Sequence, residues 1–228
     1  MKKTALLFGA TGLIGSHVLN ILVADERYEK IKVFLRRQPE KTPLQSWSSI
    51  KTELHIVDFN TPETFKNTMT GDEIFICIGT TIKTVGGEKA AFRKVDFDIP
   101  VNAAKFASHN NVKGCFIISS LGADAGSNNF YLKTKGEMEG AVSQNHFDHL
   151  CFLRPSLLKG DRKEKRVGEI IGGFFMTAFS FVFIGGLRRY KAIAAADVAA
   201  AMVLLANSSS TKTVYESDKL VDLLKQNN

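Results

Sequence analysis

Short apolar runs alternate with stretches of helical period along most of this chain. The first run, Ala5 to Phe8, is long enough for a buried strand and stops at Gly9. Ile14, Val18, Ile21 and Leu22 then recur on one helical face. Lys30 to Arg37 reads as a second strand ending in two arginines, and Leu54 to Asp58 as a third ending in a carboxylate, with a polar segment carrying Pro39 and Pro43 between them. Thr61-Pro62-Glu63 has the form of an N-cap with proline at the first helical position, opening a helix that stops at Gly71. Glu73 to Ile78 is a fourth, fully buried strand running into Gly79-Thr80-Thr81. After Gly86-Gly87, a helical region carries Phe92, Val95, Ile99, Ala103 and Phe106; Pro100 inside it predicts a kink or two successive helices. Cys115 to Ser119 is the fifth strand, Tyr131 opens a helix reaching about Gln144, and His149 to Arg154 is a sixth strand closed by Pro155.

Strands and helices alternating at these lengths predict an α/β fold, a Rossmann-type doubly wound parallel sheet with helices on both faces. No repeat and no linker divides it, so residues 1–228 read as one domain whose substrate side lies mainly in 155–228. Near the end, Asp197 to Ala206 is a helix with an acidic first turn, Thr213 to Glu216 a short strand, and the tail from Asp218 is amphipathic.

The stretch Ile170 to Leu187 is uncharged, flanked by Arg188-Arg189, and just reaches the length of a membrane span. Its glycines at 172, 173, 185 and 186, and the soluble pattern that resumes after it, argue against stable membrane insertion. The expectation is a buried helix that roofs the ligand site or packs on a second subunit of a homo-oligomer.

Composition narrows the partners. A formal charge of +7 with dispersed basic residues, apart from Asp161 to Arg166, favours an anionic ligand, and no nucleic-acid-binding motif is present. Cys77, Cys115 and Cys151 are odd in number and sit in apolar runs, the pattern of reduced core thiols in a cytoplasmic protein. The histidines show no ligand spacing, so no metal is expected.

The candidate chemistry starts at the first turn. Glycines at 9, 12 and 15 follow a strand and open a helix, the order of parts a dinucleotide needs. Gly9 permits the tight turn, Gly12 a close approach of the backbone to a pyrophosphate, and Gly15 close packing of the helix, whose free N–H groups meet the phosphate charge. Arg36 and Arg37 stand where an NAD-specific site would carry a carboxylate; guanidinium groups suit a 2′-phosphate, so the cofactor is expected to be NADP(H). Asp58 reaches the adenine or caps the next segment of chain. Gly79 and Thr80 end the fourth strand near the crossover of the sheet, where small residues let the middle of the cofactor pass.

Tyr131 and Lys135 form a Y-x-x-x-K, about one turn apart on one helical face. A phenol with an ordinary pKa of ~10 is a poor proton shuttle at neutral pH, and a nearby ammonium improves it. Lys135 also suits the nicotinamide ribose. The spacing alone is common; it gains weight by following the strand-end hydroxyls Ser119 and Ser120, either of which would hydrogen-bond a substrate oxygen.

These motifs resemble the short-chain dehydrogenases/reductases of the atypical kind over nearly the whole chain. More closely, the chain is similar to the NADPH-binding family of the human Tat-interacting oxidoreductase-like protein and its bacterial relatives. The resemblance rests on Gly9-Ala-Thr-Gly-Leu-Ile-Gly15, Arg36-Arg37, Val57-Asp58-Phe59, Cys77 to Thr81, Ser119 to Asp124, Asn129 to Glu137, Arg154 to Arg162 and Arg188 to Ile193. It implies that Thr11, Gly12, Leu13 and Ile14 meet the pyrophosphate and Arg36 with Arg37 the 2′-phosphate. It implies that Ile78 and Gly79 line the cofactor, that Leu158 and Arg166 close over it, and that Tyr131 donates the proton with Lys135 as its partner. The asparagine that often completes the superfamily's proton relay has no secure counterpart; Asp96 and Asn102 both lie in its region.

Two functions fit. One is an NADPH-dependent reductase that passes hydride to a carbonyl or activated double bond of a small-molecule substrate. The other is a non-catalytic NADPH-binding redox sensor whose occupancy switches a partner surface. The retained Tyr-x-x-x-Lys and serines favour the enzyme, because a sensor has no need of a proton donor.

Overall fold

The computed structural model describes residues 2–39, 45–159 and 185–227. Strand β1 (Lys3–Phe8) leads through the glycine turn into helix α1 (Leu13–Ala24), and β2 (Tyr28–Leu35) and β3 (Thr52–Ile56) follow. β4 (Glu73–Ile76) precedes α2 (Lys89–Arg93) and α3 (Ile99–His109), then β5 (Gly114–Ile118), α4 (Phe130–Val142) and β6 (His149–Arg154). β7 (Leu158–Lys159), β8 (Ile193–Ala194), α5 (Ala195–Ala206), β9 (Val214–Glu216) and α6 (Ser217–Gln226) complete the order.

Seven strands pair in parallel in the order β3-β2-β1-β4-β5-β6-β9. The order reverses between β1 and β4, so the loops leaving these two strands diverge and open a crevice at their carboxyl ends. Alternation along each strand sends side chains to opposite faces. Ala5, Leu7, Phe75, Phe116 and Leu153 pack with Val18 and Leu22 of α1 and with Val198 and Met202 of α5. Leu6, Phe8, Ile74, Ile76, Cys115 and Ile117 pack on the other face with Ala103 and Phe106 of α3 and Met138 of α4. Each large side chain so buried contributes about 1.5–3 kcal/mol, which is why helices must cover both faces.

The amino end of the sheet carries a closed polar network. Lys3 Nζ donates to Glu73 Oε1 at 2.5 Å, and the Tyr28 hydroxyl donates to the other carboxylate oxygen. Asn207 accepts from Lys3 and donates to the Tyr28 oxygen, both at 3.0 Å. Burial, aided by the Glu73 charge, pushes the Tyr28 phenol up, so it stays a donor. Tyr28→Phe leaves Glu73 and Asn207 short of a partner and should cost about 1–3 kcal/mol in urea unfolding, with the ring contact to Phe75 retained.

Several expected elements differ. β2, β3 and β4 stop at Leu35, Ile56 and Ile76, so Arg36, Arg37, Asp58 and Ile78 stand in the loops just beyond, where a parallel chain turns to cross the sheet. The helix expected from Thr61 to Gly71 is a 3₁₀ segment, Pro62–Thr68. Thr61 makes no side-chain cap bond to it; its hydroxyl instead donates to Asp58 Oδ2 at 3.0 Å. The break expected around Pro100 is a π-helical turn, Lys94–Asp98, joining α2 to α3, with Pro100 in the first turn of α3. The small β7–β8 pair was not legible in the sequence, since two-residue strands carry no periodicity.

Of the uncharged 170–187 stretch, residues 170–184 lie outside the described residues. Gly185–Tyr190 is a 3₁₀ turn rather than part of a buried helix, and Leu187 is exposed. Among the described residues no helix is long and apolar enough to cross a membrane.

Candidate active site

The glycine turn is built by steric necessity. Gly9 has φ +83°, and a Cβ there would lie 2.6 Å from the carbonyl carbon and oxygen of Cys77. Only glycine lets the end of β1 lie this close to the end of β4. A Cβ at Gly15 would lie 2.1 Å from the Gly9 oxygen, so the first turn of α1 rests directly on the loop that precedes it. The sequence assigned Gly15 to helix–sheet packing; its closest contact is this loop. Gly12 takes the N-cap position of α1 and offers no side chain to cap the N–H groups of the first turn. Thr11 is exposed beside it, with Leu13 and Ile14 opening the helix.

Arg36 and Arg37 are exposed just beyond β2, with no carboxylate partner among the described residues. Asp58 is committed locally: its carboxylate accepts from the Asn60 N–H at 2.9 Å and from the Thr61 hydroxyl. Those bonds hold its carboxyl below the usual range. Asp58 thus closes the turn that leads into the Pro62–Thr68 segment.

At the end of β4, Ile78 is half-buried and Gly79 exposed. A Cβ on Gly79 would meet Asp96 Oδ1 at 3.4 Å and Lys135 Nζ at 4.0 Å. Asp96, on the π-helical turn, is nearly inaccessible, accepts from the Thr80 N–H at 2.8 Å and lies 2.8 Å from Lys135 Nζ. Of the two residues in the relay region, Asp96 makes these contacts, and Asn102 lies on α3. Burial opposes the charge of Lys135, but the Asp96 carboxylate, with Tyr131 and Glu139 beyond it, outweighs burial and holds the ammonium above its ordinary pKa.

Helix α4 carries Tyr131 and Lys135 and is fixed from several directions. Asn129 caps it, its side chain accepting from the Leu132 N–H at 3.1 Å. Gly136 lets it lie against the Asp124–Ala125 backbone, where a Cβ would fall 2.2 Å from Ala125 N. Arg93 pairs with Glu137, and Arg154 forks onto Glu139 at 2.9 and 2.5 Å. The Phe92 ring lies 5.8 Å from that of Tyr131, and the Tyr131 side chain stays half-buried.

Ser119 and Ser120 continue β5 along β6, with the Ser119 N–H donating to the Leu153 carbonyl at 2.7 Å and Leu121 N–H to Pro155 at 3.0 Å. Their hydroxyls differ. Among the described residues Ser119 Oγ is buried without a hydrogen-bond partner, whereas half-exposed Ser120 donates a long bond, 3.4 Å, to the Leu121 carbonyl. Leu158 is half-buried in β7 against the α1/α5 face of the core. Arg166 lies outside the described residues. Asp96 was only one of two candidates in the sequence, because the π-helical turn that presents it has no periodic signature.

These groups suit a dinucleotide. An uncapped helix N-terminus faces a turn held open by glycine, cations flank the exit of β2, and the β4 end offers backbone with no Cβ in the way.

A model of the NAD(P)H-binding family matches residues 9–209. The mitochondrial protein FMP52 of Candida albicans is 33% identical over 161 residues, covering 71% of this chain and 69% of its own. Protein HTATIP2 of Rattus norvegicus is 31% identical over 169 residues, 74% of this chain and 68% of its own. Two solved structures share the fold. The UDP-N-acetylglucosamine 4-epimerase of Methanobrevibacter ruminantium has a TM-score of 0.68 at 16% identity, covering 94% of this chain and 76% of its own. A short-chain dehydrogenase/reductase of Veillonella parvula in complex with NADP has a TM-score of 0.61 at 13% identity, covering 92% and 90%.

The expected cytoplasmic location is corrected by these comparisons, since fungal relatives are named mitochondrial. The cysteines could not have settled it. Burial pushes the Cys115 thiol up and that of Cys151 to about 12, and a thiol protected this way is unreactive whatever the compartment.

Proposed function

Because this chain belongs to the NAD(P)H-binding family, we propose that it is an NADPH-dependent oxidoreductase that reduces a carbonyl or activated double bond of a small molecule. When bound, the cofactor supplies the hydride, and the protein supplies geometry and charge. The reading is carried by one observation: a tyrosine and a charged lysine share one face of α4, and the lysine is buried against the end of β4 beside the sheet crossover.

In this reading the first turn of α1, with Thr11, Gly12, Leu13 and Ile14, binds the pyrophosphate. Ile78, Gly79 and Thr80 line the middle of the cofactor, and Leu158 closes over it. Asp58 borders the adenine side while capping its own turn. Tyr131 holds the proton destined for the substrate oxygen, and the Lys135 ammonium favours the charge that develops on the phenol oxygen as the proton leaves. A substrate must reach the hydroxyl that orients it, so Ser120 takes that role, and buried Ser119 acts from behind. The whole chain acts as one domain, with residues 155–228 supplying most of the substrate side. The names of the fungal relatives point to a mitochondrial setting.

Cofactor choice tests this reading. A guanidinium–phosphate hydrogen bond contributes about 1.5–3 kcal/mol, so NADPH should bind roughly ten- to a hundredfold more tightly than NADH. In calorimetry, alanine at both Arg36 and Arg37 should remove most of that gap. Equal affinity of the parent protein for the two cofactors would overturn the assignment.

A further inference from the structure

The pair Asp96–Lys135 is the most deeply buried ion pair among the described residues, with 1% and 4% of the two side chains exposed. A buried ammonium without a counter-charge loses its proton or costs the fold several kcal/mol. Three groups lie electrostatically close to Lys135. Tyr131 and Glu139 stand on its own helix, and Asp96 reaches it from the π-helical turn. Glu139 is already occupied by the Arg154 fork, and Tyr131 is a phenol. Asp96 therefore supplies the compensating charge. Its second oxygen accepts from the Thr80 N–H, so one carboxylate joins α4 to the backbone leaving β4. The widened turn that carries Asp96 is a kind of helix irregularity found frequently at functional sites.

We propose that Asp96 is a positioning residue that keeps Lys135 an ammonium and ties it to the end of β4, so that the proton-donor helix and the cofactor-lining backbone are held together by charge. Where it concerns the cofactor, the inference rests on the reductase reading above. The leading measurement is therefore stability, which needs no cofactor.

Asp96→Asn keeps the size of the side chain and removes the counter-charge. In the parent, the raised pKa of Lys135 gives stability that is fully present below the ordinary lysine value and is lost only above it. In the variant, burial acts against the charge with little opposition. The folded chain then binds fewer protons at Lys135 than the unfolded chain does, and its stability rises with pH. The variant should melt roughly 6–20 °C below the parent at pH 7, and the gap should shrink toward pH 10. Asp96→Asn combined with Lys135→Met should regain most of the loss and show no such pH dependence. A gap that stays constant between pH 7 and 10, or a double variant no more stable than Asp96→Asn, overturns the proposal. If Asp96→Asn alone does not fold, the double variant decides: folded supports the charge argument, unfolded defeats it.

NADPH fluorescence titrations at pH 7 and 9 complete the test. The affinity of Asp96→Asn should fall about tenfold more across this interval than that of the parent, as its lysine loses its charge. If the stability results hold and the parent binds no NADPH, the ion pair retains its role and the reductase reading fails.

Discussion

Tyr131→Phe should lower turnover by about 10²–10⁴, the amount a positioned acid supplies, with NADPH affinity and melting temperature nearly unchanged. The change removes one oxygen from a half-buried ring whose contact with Phe92 remains. A panel of aldehydes, ketones and quinones screened for NADPH oxidation, followed by the variant on each active compound, makes the measurement. A substrate turned over equally well by both proteins would remove Tyr131 from the mechanism. Lys135→Met makes a useful contrast. It leaves Asp96 buried without its cation, so stability, binding and rate should all suffer. A redox sensor predicts another pattern, with Tyr131→Phe silent in every assay and only cofactor-site changes affecting a partner.

Gly15→Val should reduce NADPH affinity at least a hundredfold and destabilise the fold by about 3 kcal/mol or more. The added Cβ would meet the Gly9 oxygen at 2.1 Å and the Gly9 carbonyl carbon at 2.7 Å. The loop has little room to retreat toward β4, because Gly9 lies close enough to the Cys77 backbone that even a Cβ there would fall 2.6 Å from it. Helix α1 must therefore lift away, carrying with it the free N–H groups proposed to bind the pyrophosphate. Calorimetric titration of NADPH paired with urea unfolding separates the two effects. A folded Gly15→Val protein that binds NADPH like the parent would show that this helix end is not the phosphate site.

Much of this architecture was legible in the residues because its signals are local. The apolar run of β1, the glycines behind it and the period of α1 each follow from short-range chemistry, and together they located the turn that organises the sheet. The spacing of Tyr131 and Lys135 likewise determined that both side chains share a face, since a helix brings positions four apart together. Strand ends were less legible. Arg36 and Asp58 were assigned to strands but lie beyond them, because a ladder stops where its neighbour stops, and the sequence does not show the neighbour.

By itself, then, the sequence determined the alternation of strands and helices, the glycine turn and the pairing of Tyr131 with Lys135 on one helix. Only the tertiary structure decided which acid meets that lysine, which glycine touches which backbone, and which of two adjacent serines presents an accessible hydroxyl. The physical reason is distance along the chain. Asp96 and Lys135 belong to different helices and meet only after the sheet has brought α4 beside the π-helical turn. The apposition of Gly9 and Cys77 exists only because β1 and β4 pair. Periodicity reports which face a residue occupies, but what that face meets is settled by packing.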